Sequence, residues 1–328
     1  MKTCALLFVF LLVAGCASEP PAPTLEVVDD IEARVAQFQP QRLEVDLSHL
    51  SEGDRRALDL LVEASDVVHE IFGLQAWQHR AETDVAIAQY EGPDAEAVKT
   101  YYAIMRHKWD RLAGNEPWLG DEPHPEGAGY YPEDMTVDEF EAWLEEHPED
   151  REAFTSQFTV IRRQDGGLVS FPYSEAYAVQ IRRAADLLVQ AAEATDDPTL
   201  ETFLRLRAQD MLRDDYFESD MAWMDLAGDL EVVFGPYEVY EDKLFGYKAA
   251  FESFLCVVDP EDSQALALYK AELPWLEMNL PIPDAYKNPD RGTESPIRVA
   301  NAVYTAGDTR AGVQTIAFNL PNDERVRE

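Results

Sequence analysis

Cysteine is almost missing from this 328-residue chain. There are three, Cys4, Cys16 and Cys256. The first two sit in the N-terminal leader region, so Cys256 is alone in the body and a disulfide framework is excluded. Its neighbours Phe254, Leu255, Val257 and Val258 mark it as a buried thiol in a strand. Lysine is scarce too, most basic residues being arginine, and the 27 basic residues face 64 acidic ones, a formal charge of −37. Nucleic acid and anionic lipid surfaces are poor partners for such a chain. A cationic peptide or metal ion would be attracted, although a solvated acidic surface suited to salty water explains the same balance. There is no internal repeat, no G-x-S-x-G, no phosphate-binding loop and no plausible catalytic cysteine.

Long apolar runs are also absent. The run from Ala5 to Ala14 is about half of the ~20 residues that a membrane span needs. Behind the positive charge of Lys2 it reads as the core of a signal peptide. It ends in Leu12-Val13-Ala14-Gly15-Cys16, where small residues fit a peptidase slot and the Cys16 thiol can accept a diacylglycerol. We expect residues 1–15 to be a lipoprotein signal peptide and residues 16–44 to be a lipidated cysteine followed by a flexible tether. The alternative is a plain secretory signal with an incidental cysteine. More than one acyl chain gives stable membrane attachment. Ala17 and Ser18, with no Asp directly after the cysteine, favour the outer membrane facing the periplasm. Pro-rich Glu19–Thr24 extends the tether.

Apolar content of 46% and six tryptophans can build a real core. Residues 45–156 read as a helical region and 157–328 as an α+β region. A helix over 51–75 starts with Ser51 and Asp54 as a capping box, with Leu61, Ala64, Val68 and Ile71 on one face. A second runs from about Asp94 to Gly114 on Val98, Tyr101, Met105 and Leu112, and a third follows Thr136 and Glu139. Asp165-Gly166-Gly167 predicts a hairpin between 157–163 and 168–171. Ser174 is expected to cap a helix to about Ala194, and Asp197-Pro198 one to about Glu218. Strands are expected over 231–241, 248–258, 301–306 and 313–318, with a helix over 261–279. The expected fold is α+β, mostly helical, with a central mixed five- to six-stranded sheet or partial barrel in the second half.

Zinc hydrolases need ligands clustered at fixed helical spacing. His69-Glu70 opens such a pattern, but Ile71, Phe72 and Gly73 follow without a second histidine. His107 and Asp110 would share a helix face, a pairing too common to carry a site. With His49, His79, His124 and His147, the six histidines read as scattered surface or loop residues, and no metal ligand is assigned.

Three segments carry more information. They are Gly127-Ala-Gly-Tyr-Tyr-Pro-Glu-Asp-Met-Thr136, then Asp214–Met224 with Gly235-Pro-Tyr-Glu-Val-Tyr-Glu-Asp-Lys-Leu-Phe-Gly-Tyr-Lys248, and finally Ala306-Gly-Asp308 leading to Asn319-Leu-Pro-Asn-Asp-Glu324. In order and spacing over residues 45–324 they resemble the N-terminal half of the dipeptidyl-peptidase III family of zinc metallopeptidases, in its bacterial branch. The resemblance implies an incomplete two-lobed peptidase, with a five-stranded β core on one side of a cleft. A peptide would add to an edge strand there. Asn319 and Asn322 match the segment whose amides hold peptide groups, and Glu238 and Tyr240 match a neighbouring core strand. An amide both donates and accepts, and a carboxylate can pair with a peptide amine. Read without the resemblance, Asn322 is a turn residue after Pro321 and Tyr240 a core residue. Glu238 in an apolar strand is harder to dismiss, because a buried unpaired carboxylate is costly.

In that family the zinc helix and the further glutamate ligand follow the Asn-x-Pro-Asn segment. This chain reaches Glu328 first, so no zinc ligand or catalytic base can be named in it, and zinc is expected only in the full-length family member. Three readings follow. The chain is the N-terminal part of a zinc-dependent peptidase, not catalytically competent as it stands and possessing a missing C-terminal half as its partner. It is a catalytically inactive peptide-binding envelope lipoprotein. Or it is a structural envelope protein. The first reading predicts a large apolar patch where the missing half would pack.

Overall fold

The computed structural model describes residues 25–42, 44–289, 298–312, 317–318, 320 and 322–327. The signal segment, Cys16, the first part of the tether, Asn319 and most of the last expected strand lie outside the described residues. The elements are α1 (Ile31–Val35), α2 (Glu52–Ala76), α3 (Arg80–Ala88) and α4 (Ala95–Met105), then a short ribbon of β1 (Trp109–Asp110) and β2 (Glu116–Pro117). Next come α5 (Val137–Glu146), α6 (Arg151–Thr155), the hairpin of β3 (Thr159–Gln164) and β4 (Gly167–Pro172), and helices α7 (Tyr173–Ala176), α8 (Ala178–Ala194), α9 (Pro198–Met211) and α10 (Phe217–Met224). The last are β5 (Leu230–Glu238), β6 (Ala250–Val258), α11 (Pro260–Met278), β7 (Ala300–Gly307) and α12 (Glu324–Arg327).

The chain is α+β and mostly helical. The expected single mixed sheet is corrected: the described strands form three small antiparallel sheets, β1-β2, β3-β4 and β5-β6-β7. The hairpin did not join the larger sheet. Its tight turn, with Asp165 at φ 51° and Gly166 at φ 83°, pairs β3 with β4 alone.

Caps and apolar spacing set most element boundaries. Ser51 accepts the Asp54 amide at 2.9 Å, Thr136 accepts that of Glu139 at 3.2 Å, and Asp197 accepts that of Thr199 at 2.8 Å. Leu61, Ala64, Val68 and Ile71 are fully buried on α2. That helix packs on α8 and on the strands β6 and β7. One hydrophobic cluster runs from Leu50 through α2, α8 and α9 to Val257. A second joins Ile31, Val98, Tyr101, Met105 and Trp118.

Three boundaries differ from expectation, each because a distant group wins. Helix α4 ends at Met105, where Arg106 turns left-handed at φ 67°. The Asp110 carboxylate then gathers the amides of Leu112 and Ala113, the Tyr101 hydroxyl at 2.6 Å and Arg34 at 2.7 Å. Leu112 is thereby left 46% exposed, outside the stripe expected for it, and His107 and Asp110 share no helix. Ser174 caps nothing. Its amide donates to Asp214 from across the fold at 3.1 Å, and the chain breaks at Tyr177 before α8 begins. The helix from Pro198 stops at Met211, not near Glu218, and α10 restarts at Phe217 so that the buried Asp220 can pair with Arg207.

Candidate functional site

The site is built at one end of the β5-β6-β7 sheet, where the three recognised segments meet. Gln75, buried on α2, holds the start of β6 through both ends of its amide. Its Oε1 accepts the Phe251 amide at 2.8 Å and its Nε2 donates to the Ala249 carbonyl at 3.2 Å. The 127–136 segment crosses the end of α2 at Gly129, whose amide donates to the Gln75 carbonyl at 2.7 Å. A Cβ at Gly129 would stand 2.2 Å from the Leu74 carbonyl oxygen, so glycine is required there. Tyr131 then donates its hydroxyl to Asp242 at 2.9 Å.

Asp242 organises the loop from β5 to β6. Its carboxylate accepts the amides of Leu244, Phe245, Tyr247 and Lys248 at 2.9–3.1 Å, which fixes the loop beyond the strand end. Lys248 is buried beneath, donating to the carbonyls of Phe154 and Ser156 and to the Thr159 hydroxyl. Burial pulls its pKa down to about 7. Glu241, also buried, pairs with both terminal nitrogens of Arg111. Burial works against the Glu241 carboxylate, but the Arg111 charge outweighs it and holds the group below its ordinary value.

Glu238 is the last residue of β5, half-buried, opposite Ala250 and next to a register shift after Pro236. Tyr240 is 65% exposed, not a core residue. The Glu238 charge beside it raises its phenol pKa. Asn322 returns from the far end of the chain to donate its side-chain amide to the Tyr237 carbonyl at 3.3 Å, one residue before Glu238. Leu320 and Phe318 pack against Val233, Tyr237 and Phe254 on the sheet face opposite the main core. Glu238, Tyr240 and Asn322 therefore sit on one strand end, whereas Asn319 lies outside the described residues.

The structure adds two carboxylates that the sequence reading missed. Glu252, on β6, lies between Gly235 on one side and Gly307 on the other. Gly307 has φ 76°, and a Cβ there would approach the Phe251 carbonyl oxygen to 2.1 Å. Glu252 is almost fully buried, and burial with the nearby Asp308 and Glu238 carboxylates pushes its pKa up to about 8. Asp308 follows Gly307. Burial and the Glu241 charge, only partly offset by Arg111, raise it to about 7. The signal for Glu252 was present: a charge inside the apolar strand AFESFLCVV invites the question asked of Glu238. Arg111, Tyr240, Glu241, Lys243 and Asp308 line a cavity of about 530 Å³ open to solvent beside this sheet end.

His49 and His79 are exposed, in keeping with scattered surface or loop histidines, whereas His107 and His69 are drawn inward. His107 is fully buried and stacks edge-on with His124 and Trp109. His69 is largely buried and accepts the Gly307 amide at Nδ1, 3.0 Å away. Burial, then the charges of Arg106 and Arg310, pull its pKa down to about 3, so it is a neutral acceptor that positions the end of β7. Among the described residues no group of three or more His, Cys, Asp or Glu side chains could hold a metal ion. The described residues do not fit a zinc centre. Cys256 is buried and unpaired, as expected.

The geometry has counterparts among solved structures. The dipeptidyl-peptidase III (DPP III) of Caldithrix abyssi superposes with a TM-score of 0.87 at 51% identity, over 90% of this chain and 57% of that one. This chain is kin to the N-terminal half of dipeptidyl-peptidase III. The DPP III of Corallococcus sp. strain EGB gives a TM-score of 0.85 at 40% identity, over 92% of this chain and 57% of that one. A protein of Arabidopsis thaliana named Nudix hydrolase 3 is 33% identical over 352 aligned residues, 90% of this chain and 45% of the plant protein. No protein-family model matches. The chain thus spans about half the length of these relatives. The likeness supports kinship with a peptidase-like family.

Proposed function

We propose that this chain is the peptide-holding portion of a DPP III-like zinc peptidase, gripping a peptide main chain at the open end of the β5-β6-β7 sheet. The observation that carries the reading is the bond from Asn322 to the Tyr237 carbonyl. It brings a segment from the end of the chain onto the strand end that bears Glu238 and Tyr240, beside the cavity of Tyr240 and Asp308. Strand ends with free main-chain groups recognise peptides without regard to sequence. The amides of Asn319 and Asn322 supply donors and acceptors for peptide groups, and Glu238 supplies a counter-charge for the free amine. On this reading zinc is expected only in the full-length family member. The N-terminal sequence supports export as a lipoprotein, with Cys16 carrying lipid and the protein held at the outer membrane facing the periplasm. The described helices include none long and apolar enough to cross a membrane.

Titration calorimetry of the purified chain with tetrapeptides tests the groove. Binding in the millimolar range or tighter is expected, about tenfold weaker in Glu238→Gln and weaker again when the peptide amine is acetylated. No heat at millimolar peptide overturns the proposal. Export is tested separately by labelled fatty acid in a bacterial host, where incorporation is expected for the wild type and none for Cys16→Ser.

A further inference from the structure

Four side chains gather at the last turns of α2: His69, Arg80, Arg106 and Arg310. His69 and Gly73 stand four residues apart on that helix, so they share a face. The His69 Nδ1 accepts the Gly307 amide at 3.0 Å, which brings the turn Asp308–Arg310 against this face. Arg80, the first residue of α3, lies across Gly73, where a Cβ would stand 1.4 Å from its Nη1. Glycine inside a helix costs about 1 kcal/mol, and here the guanidinium needs the space. Arg106 arrives with the end of α4, which the Gly312 amide ties to the same turn through the Ile104 carbonyl at 3.0 Å.

Three of the four are guanidiniums, and their charges act on one another. After burial, the charges of Arg106, Arg310 and Arg80 all disfavour a protonated His69. Burial, then the Arg80 charge, pulls the pKa of Arg106 down to about 10. Carboxylates do not balance the group. Asp84 is taken by Arg80 Nε at 3.0 Å and by the Tyr102 hydroxyl at 2.7 Å. Arg310 donates to the Tyr304 hydroxyl at 3.0 Å and pairs with no carboxylate among the described residues. The Arg106 side chain meets neither a hydrogen-bond nor an ion-pair partner among the described residues, and its Nε and the Arg80 Nη1 are buried without an acceptor. Acidic residues outnumber basic ones 64 to 27 in this chain, so scarcity of carboxylates does not explain it. A buried polar group without a partner is costly, and a charged one more so.

We propose that Arg106 and Arg310, with Arg80 and His69 beside them, form a binding site for an oxyanion of the carboxylate or phosphate class. A guanidinium presents a planar fork of donors that matches both groups. A neutral imidazole that accepts at Nδ1 keeps a donor proton on Nε2. Arg310 is exposed, so the group is open to solvent on its side. Two sources carry this chemistry, free phosphate and the C-terminal carboxylate of a peptide. The second is near at hand, because Asp308 lines the cavity of Tyr240 and Arg310 stands two residues further on. A net charge of −37 repels anions elsewhere on the chain, so a response to phosphate reports this local field.

The test is calorimetric titration of inorganic phosphate into the purified full chain, at an ionic strength fixed with chloride. Saturable binding in the millimolar range or tighter is expected, weakened about tenfold or more in Arg106→Gln and in Arg310→Gln, since each removes a charge-assisted contact. Arg310→Gln guards against a folding defect, because that residue is exposed and belongs to no core cluster. Tetrapeptides ending in a carboxylate or in an amide separate the two sources. A preference for the carboxylate that both variants lose assigns the site to the end of a peptide. Equal affinity for the two peptides, with phosphate binding that both variants lose, assigns it to the free ion. Phosphate binding equal in the wild type and both variants overturns the proposal. So does the absence of phosphate heat together with no preference for the carboxylate. The phosphate titration does not depend on peptide binding at Glu238, so its outcome stands whether or not tetrapeptides bind there.

Discussion

The two long helices of this chain, α2 and α11, are similar in composition and opposite in fate. Both start from a good cap, Ser51 in one case and Asp259 in the other. Helix α2 spaces its apolar residues along one face, and that face is buried against α8 and the sheet. Helix α11 scatters Leu266, Tyr269, Leu273, Trp275, Leu276 and Met278 around its axis, and it contributes to no cluster among the described residues. An apolar helix lacking a single stripe needs covering on more than one side. The lesson is that apolar content alone does not say where a helix packs; its periodicity does, together with the partners within reach.

The comparison can be pressed hardest at α2. Leu61→Ala should cost about 2–5 kcal/mol in denaturant unfolding, because a fully buried side chain leaves a cavity against α8 and the sheet. A loss under about 1 kcal/mol would mean that α2 is not the organising helix.

A second test asks what packing does to a charge. Burial holds the Glu252 carboxyl protonated up to about pH 8, above its ordinary 4.5. Between those values the folded chain keeps a proton that the unfolded chain has released. Stability from this residue is therefore highest at low pH and falls as pH rises through that window. Glu252→Gln keeps the shape of the protonated acid. It should match the wild type near pH 4 and be more stable by roughly 4 kcal/mol near pH 8.5. A gap that does not change with pH would show that the carboxyl is not protonated in the folded chain.

The smallest effect is expected on α11. Tyr269→Ala should change the stability of the chain by less than about 0.5 kcal/mol, since the side chain is mostly exposed. A cost above 1 kcal/mol would place α11 within the cooperative unit and erase the contrast with α2.

Much of the fold was legible in the sequence. Helix α2, the caps at Ser51, Thr136 and Asp197, the hairpin at Asp165-Gly166 and the strands β5, β6 and β7 follow from local spacing and turn chemistry. The errors arose where a residue far along the chain decided a boundary. Asp214 took the amide of Ser174, and Arg207 drew α10 back through Asp220. The candidate site was half legible as a place in the fold. The ordered segments that carry Glu238, Tyr240 and Asn322 do meet at one strand end, whereas the burial of Glu252, Asp308 and His107 needed coordinates. Their neighbours, Gly235, Gly307 and Arg111, come from separate stretches of chain.

Local chemistry in the sequence determined the helices, their caps, the strand pairing of the hairpin, the lone cysteine and the acidic balance, because each depends on residues within a turn or two. The tertiary structure alone decided that the strands divide into three sheets, that buried carboxyls gather at one sheet end, and that α11 keeps its aromatics in water. Those outcomes depend on burial and on charges brought together from distant segments, and no local pattern carries either.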